Sequence, residues 1–287
     1  MLSIVGLILL FGIVFGGYVA EGGSLAPILH AAPGEGFIIA GAAVSAMVIG
    51  NSMTIVKATF GGFMHIISGP KFKKQDYLDV IFLVSKLMKV LKAEGAVALE
   101  SHVENPESSA IFGEYPRLLK DHALVHLITD SIRLLVISSP APRPDTIEDV
   151  MNLSIKTHHH EALKPADCYA SLAGALPALG IVACVLGVVK TMGSIDQPPA
   201  ILGGLIGSAL VGTFLGVLLA YGVAEPLGVR LKQIIDDEGQ IYHVAKQIIV
   251  GTLNGYPIPV VIEAARVGIS HDNQPSFSEV FDGLRGK

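Results

Sequence analysis

The long apolar stretches of this 287-residue chain carry hydroxyl side chains at Ser45, Ser171, Ser208 and Thr213. A hydroxyl donates and accepts hydrogen bonds but holds no charge at neutral pH. Moving an ion through hydrocarbon calls for a carboxylate or an equivalent group that binds and releases it. No ionisable residue is expected in the interior of any span, so a chain that conducts protons needs a partner to supply the acid. Thr213 can face such a partner, or it can bond back to its own helix carbonyl. Cys168 and Cys184 are too few for a disulfide framework, and Cys184 reads as a small soft hydrophobe in an apolar run. His158, His159 and His160 are consecutive on an expected helix and cannot converge on one ion, so they predict a solvated face and no metal site. Glycines are frequent, but no Gly-Lys-Ser/Thr follows them at phosphate-loop spacing. With no nucleophile–base pair either, neither enzymatic activity nor a cofactor is expected. A net charge of −5 provides no basic surface for nucleic acid.

The elements that position these residues are read from charge. Asp, Glu, Lys and Arg make up 16% of the chain, where about a quarter is usual for a soluble domain. Asp, Glu, Lys, Arg and His are absent between Met1 and Glu21, Glu35 and Lys57, Asp167 and Lys190, and Asp196 and Glu225. Each gap approximates the roughly 20 residues of a bilayer-spanning helix, in which the backbone satisfies its own hydrogen bonds. The first gap lacks the basic start of a secretory signal and is read as a retained helix. Lys71, Lys73 and Lys74 follow the second gap, and Arg230 and Lys232 follow the fourth. The positive-inside rule then places both termini and the long central segment in the cytoplasm. The expected organisation is all-α: residues 1–56 hold two spans, 57–167 a cytoplasmic helical segment, 168–226 two more spans, and 227–287 a second cytoplasmic helical segment.

In the central segment, Tyr77, Val80, Ile81, Val84, Leu87, Met88 and Leu91 recur at helical spacing, and Gly95 marks a stop. Further helices are expected from Arg117 to Ile137, from a capping-box-like start at Asp145 and Glu148, and through Ile234, Ile241, Ala245 and Ile248. The fourth span carries Gly204, Ser208, Gly212, Gly216 and Ala220 at intervals of four, a stripe that admits a close helix neighbour of unspecified origin. The third has Ala170, Gly174 and Ala178 at the same spacing. Pro177, inside it, predicts a kink. Pro226 can equally well terminate the fourth helix.

Several longer stretches carry a resemblance. FGIVFGGYVAEGGSLAPIL runs from Phe11 to Leu29, and ENPESSAIFGEYPRLL from Glu104 to Leu119. LPALGIVACVLGVV covers Leu176 to Val189, VGTFLGVLLAYG Val211 to Gly222, and NGYPIP Asn254 to Pro259. Over nearly its whole length the chain resembles the MotA family of flagellar stator subunits. The resemblance implies a homo-oligomeric ring in the bacterial inner membrane, embedded in lipid and surrounding a MotB-type, single-span, peptidoglycan-anchored partner that supplies an ion-binding Asp. It also implies that the cytoplasmic segment pushes on the rotor switch protein FliG through a charged pair matching Lys92 and Glu100, and that Pro177 and Pro226 serve conformational coupling. Family members often have Arg where Lys92 stands, so the charge is kept and the bidentate fork is lost. Sodium-type relatives tend to carry Thr at the positions of Cys184, Gly212 and Thr213; here Thr213 alone has the oxygen, which predicts protons as the coupling ion. An envelope energy transducer of the ExbB/TolQ type is the alternative, disfavoured by the second span ahead of the cytoplasmic segment. A self-contained channel would need intramembrane ionisable groups or paired broken helices.

Overall fold

The computed structural model describes residues 2–138 and 140–285, and the described residues contain helices and turns with no strand. In chain order the helices are α1 (Leu2–Ala20), α2 (Ala26–Gly50), α3 (Met53–Ser68), α4 (Lys74–Glu94), α5 (Glu100–Glu104) and α6 (Ala110–Gly113). They continue with α7 (His122–Ile137), α8 (Pro144–Met192), α9 (Pro199–Leu219), α10 (Glu225–Leu253), α11 (Ile258–Val267) and α12 (Phe277–Arg285). The chain divides into two compact units. One comprises residues 1–69 and 163–234, the other 70–162 and 235–287.

The first unit holds the apolar helices. Among the described residues four helices are long and apolar enough to cross a membrane: Leu2–Ala20, Ala26–Gly50, and the two longer stretches Pro144–Met192 and Pro199–Leu253, whose outer ends extend into the second unit. The second span departs from the charge-gap reading. Its helix opens with Ala26 and Pro27, where a proline's missing N–H has no intrahelical partner to lose. The Ala26 N–H donates to Ser24 Oγ at 3.3 Å. The helix then runs through Pro33 and Glu35 and ends at Gly50. There Asn51 Nδ2 donates to the Met47 carbonyl at 2.9 Å, which substitutes for a helical bond and releases the chain into an extended Asn51. Lys57 therefore belongs to a separate helix, α3.

Pro226 does not terminate the fourth span. The residues before it, Ala220–Ala224, form a π turn in which the Glu225 N–H donates to the Ala220 carbonyl. The wider turn lets the helix carry a residue without an N–H, and α10 continues to Leu253. Pro165 and Pro177 likewise sit inside one 49-residue helix, α8, which joins the expected third cytoplasmic helix and the third span without a break.

The second unit is a helical domain with its own core. Tyr77, Val80, Ile81, Val84, Leu87 and Met88 of α4 are buried together with Leu124, Ile128 and Ile132 of α7. Ile147 and Met151 of α8, Ile241, Ala245 and Ile248 of α10, Val261 and Ile262 of α11 and Val280 of α12 belong to the same cluster. Each Leu or Ile buried here contributes about 1.5–3 kcal/mol. Gly95 ends α4 at φ +84°, in a region that side chains disfavour. The helix expected from Arg117 opens with a single 3₁₀ turn at Leu118–Lys120, and α7 proper begins where the Asp121 side chain accepts the Leu124 N–H. The expected capping box at Asp145 does not form; Asp145 lies 3.4 Å from Arg143, and Glu148 lies 3.5 Å from Lys246.

Two polar contacts in this unit carry expected effects. The Asp76 side chain is 2% exposed, accepts the Lys73 N–H at 2.8 Å and pairs with Arg117 at 3.0 Å. Asp76→Ala should cost about 1–2 kcal/mol: the loss of a helix-start acceptor contributes about 1, and the half-exposed Arg117 adds less. Thermal unfolding of the detergent-purified protein measures it. The His243 imidazole is held below its ordinary range by desolvation, with Lys246 and His159 adding to the effect. The unfolded chain therefore binds a proton more readily than the folded one. Stability present above the unfolded value of 6.5 falls as pH drops through that value toward the folded one. Unfolding midpoints measured across that window should decline in the wild type and decline less in His243→Gln.

Candidate functional site: the α2–α8–α9 helix cluster

Three helices of the first unit meet through small residues. Ile39 and Ala43 of α2 are buried with Ala173, Leu176 and Ala183 of α8 and with Ala220 and Ala224 of the π turn. The closest approach is backbone to backbone. A methyl built on Gly216 would lie 2.7 Å from the Leu176 carbonyl oxygen and 2.8 Å from the Gly180 Cα, and one built on Gly180 would lie 2.8 Å from the Gly212 carbonyl oxygen. A methyl on Gly187 would meet Ala209 Cβ at 2.7 Å. Only glycine permits contacts this short, and van der Waals contact is what drives helix association in lipid.

The small-residue stripe of α9 thus has two fates. Gly212 and Gly216 are buried against the chain's own α8, and Ser208 is half-buried. Gly204 is exposed, with open space around its Cα. On α8, Ala170, Gly174 and Ala178 are exposed, and nothing lies within 4 Å of a methyl built on Gly174. Among the described residues nothing covers that face of the third span at Gly174.

Pro177 is half-buried and directly follows Leu176, whose carbonyl touches Gly216. Thr213 is half-buried beside Gly212, and Pro226 is exposed just past the π turn. Two of the span hydroxyls are tied to their own helices: Ser45 donates to the Gly41 carbonyl at 2.8 Å, and Ser171 to the Asp167 carbonyl at 3.0 Å.

In the second unit Lys92 and Glu100 are both exposed. Lys92 Nζ donates to the Tyr256 carbonyl at 3.2 Å, which ties the end of α4 to the Asn254–Pro259 turn. Glu100 opens α5, after the Gly95 bend and a 3₁₀ turn at Ala96–Leu99. The histidine tract divides its contacts: His159 Nε2 lies 3.2 Å from Asp236 Oδ1, and the His158 ring packs 4.9 Å from that of Tyr242. Among the described residues no group of three His, Cys, Asp or Glu side chains could hold a metal ion. Burial pushes the Tyr77 and Tyr242 phenols upward, so both stay protonated and donate, to the Asp237 carbonyl and to Asp121 Oδ1 respectively, each at 3.1 Å.

Two ionisable residues of α2, His30 in its second turn and Glu35 further in, overturn the expectation that no span holds such a group, and Glu35 is the deeper of the two. Glu35 is the tenth residue of the 25-residue α2, about 14 Å along its axis. Its carboxylate lies over the α8–α9 contact. A methyl on Gly212 would sit 2.9 Å from Oε2, and one on Gly187 would sit 3.3 Å from Oε1. The charge-gap reading used Glu35 as a boundary. The signal that places it inside the span is Pro27, which marks the helix start eight residues earlier.

Apolar helices of spanning length that pack through glycines, on the same chain as a separately cored helical unit, define a polytopic helical membrane protein. Comparison with known sequences and structures narrows the class. Residues 4–95 match the family described as motility protein A N-terminal, and residues 120–243 the MotA/TolQ/ExbB proton channel family. The chain is 39% identical over 285 residues to motility protein A of Escherichia coli strain K12, covering 99% of this chain and 95% of that one. It is 32% identical to the chemotaxis protein LafT of Vibrio parahaemolyticus, covering 98% and 97%. A solved structure of C. jejuni MotAB aligns with a TM-score of 0.73 at 20% identity, over 96% of this chain and 98% of that one. The flagellar MotAB stator complex from Bacillus subtilis aligns with a TM-score of 0.66 at 22% identity, over 91% and 92%. The chain belongs to the motility protein A family.

Proposed function

We propose that this chain is the ring-forming subunit of a flagellar stator in the bacterial inner membrane, working with a MotB-type single-span subunit anchored to peptidoglycan. Together the two subunits form an ion channel, and ion flow through it drives movement of the ring against the rotor switch protein FliG. The observation that carries this reading is the exposed Ala170–Gly174–Ala178 face of α8, open at Gly174 among the described residues. Small residues at such spacing admit a foreign helix to close range. In this reading that helix brings the ion-binding aspartate. Pro177 and Thr213 lie beside the path, Gly204 and Ser208 extend the packing surface, and Pro226 with its π turn passes movement into α10. Lys92 and Glu100 form the rotor contact. The termini and residues 57–167 and 227–287 are cytoplasmic.

Protons are the coupling ion in this proposal. Gly212 packs against Ala183 and the Cys184 backbone, and none of these three side chains offers an oxygen to a metal cation. Deleting the gene and restoring it tests the reading. Loss of swimming with flagella still assembled, reversed by the wild-type chain, supports a stator subunit. A defect in envelope energy transduction with swimming intact supports the ExbB/TolQ-type alternative. Torque that persists in the absence of sodium supports protons, and strict sodium dependence refutes them.

A further inference from the structure

Glu35 has no part in the reading above, yet its setting is a built one. Oε2 is fully shielded from solvent and has no hydrogen-bond partner among the described residues. A carboxylate oxygen left so in hydrocarbon is costly, and a bound proton removes the charge. The space it occupies exists because Gly187 and Gly212 lack side chains, since a methyl at either position would contact the carboxylate oxygens. Those same glycines form the α8–α9 contact. The charge state of Glu35 and the closeness of α8 to α9 therefore act on the same few ångströms.

The groups facing Glu35 are few. From α8, Lys190 is close enough to act on it electrostatically. α8 also brings the Cys184 backbone N and Ala183 Cβ, which lie 3.1 and 3.2 Å from the same methyl position on Gly212 that Glu35 Oε2 approaches. α9 has no charged residue between Pro199 and Leu219, and α1 has none between Leu2 and Ala20. A hard metal cation prefers six or more oxygen ligands when it is divalent, and several in any case. The cradle of Gly187, Gly212, Ala183 and Cys184 supplies no side-chain oxygen beyond the carboxylate itself. A single carboxylate with one shielded oxygen suits a proton.

We propose that Glu35 is a proton-binding group of this chain's own, seated in the glycine cradle of α8 and α9, and that it exchanges protons from the end of α2 opposite the cytoplasm. It is a second titratable site in the channel, distinct from the partner's aspartate. Binding is simple protonation: the proton comes from water on that side, adds to a carboxylate oxygen and leaves by the same route or inward. Lys190, in the last turn of α8, modulates the site by competing for the unprotonated form.

The test uses the full stator complex in membranes. pH-difference infrared spectra of the wild-type complex should contain a protonated-carboxyl band that is lost in Glu35→Gln. The same band in Glu35→Asp should persist at a shifted frequency. In motile cells held at constant total driving force, the dependence of swimming speed on external pH should flatten in Glu35→Gln and remain in Glu35→Asp. An unchanged set of carboxyl bands in Glu35→Gln, or a wild-type pH profile, overturns the proposal. Where Glu35→Gln does not accumulate in the membrane, Glu35→Asp decides alone, and a band at the wild-type frequency overturns it. The swimming arm rests on the stator reading, which complementation by the wild-type chain decides separately. The infrared arm reads Glu35 whether or not flagella turn.

Discussion

Gly216→Val and Gly180→Val are each expected to abolish swimming and to deplete the protein from the membrane, while Gly203→Ala leaves both unchanged. The contrast follows from what a side chain would meet. At Gly216 the nearest atoms are the Leu176 carbonyl oxygen and the Gly180 Cα, at 2.7 and 2.8 Å from a first methyl. Both are backbone and neither can rotate away, so the helices must part. Inserting methylenes into a close-packed contact costs about 1–3 kcal/mol even where side chains can adjust, and two opposed backbones cannot. In lipid no hydrophobic term compensates for the lost van der Waals contact. At Gly203 nothing lies within 4 Å, so a methyl is accommodated. Immunoblots of membrane fractions and soft-agar swarms of the complemented deletion strain measure the series. Normal accumulation of Gly216→Val would show that α8 and α9 do not pack as described.

Lys92→Glu should abolish swimming by a different route, with the protein still present at wild-type abundance. Lys92 is exposed and makes one hydrogen bond, to the Tyr256 carbonyl at 3.2 Å. Losing an exposed contact of this kind costs at most about 1 kcal/mol, which does not unfold the unit. Reversing the charge at the proposed rotor contact adds like-charge repulsion, which costs a protein interface several kcal/mol. The combination of intact membrane level and lost torque separates a contact residue from a structural one. Pairing it with Glu100→Lys gives a second reading, since each reversal should be rescued in part by opposite changes on the rotor. A Lys92→Glu strain that swims normally would remove Lys92 from the contact.

Much of the architecture was legible from residue order. Four charge-poor runs, the 3.6-residue period of Tyr77 to Met88 and the punctuation at Gly95 depend on local chemistry, namely solvation of charge and backbone freedom. These appear as four apolar helices, a buried α4 face and a positive φ. The proline positions were visible too, but their effect was not. Whether Pro226 ends a helix depends on whether the preceding turn can widen, and that is a property of Ala220–Ala224 in place. The run of charge-free residues likewise located the second span but misplaced its start, because an absence of charge marks what hydrocarbon tolerates and a helix start is set by capping chemistry at Ala26 and Pro27.

The stripe of small residues was fully apparent in the sequence of α9, whereas its partners were not. Spacing specifies that a helix can be approached, and the approach itself is a long-range contact between segments distant in the chain. Only the folded arrangement divides the stripe into Gly212 and Gly216, occupied by α8, and Gly204, left open. It alone carries Glu35 from a loop boundary to a place against Gly187 and Gly212. A carboxylate in hydrocarbon is held by the atoms around it, and those atoms come from residues some 150 and more positions away.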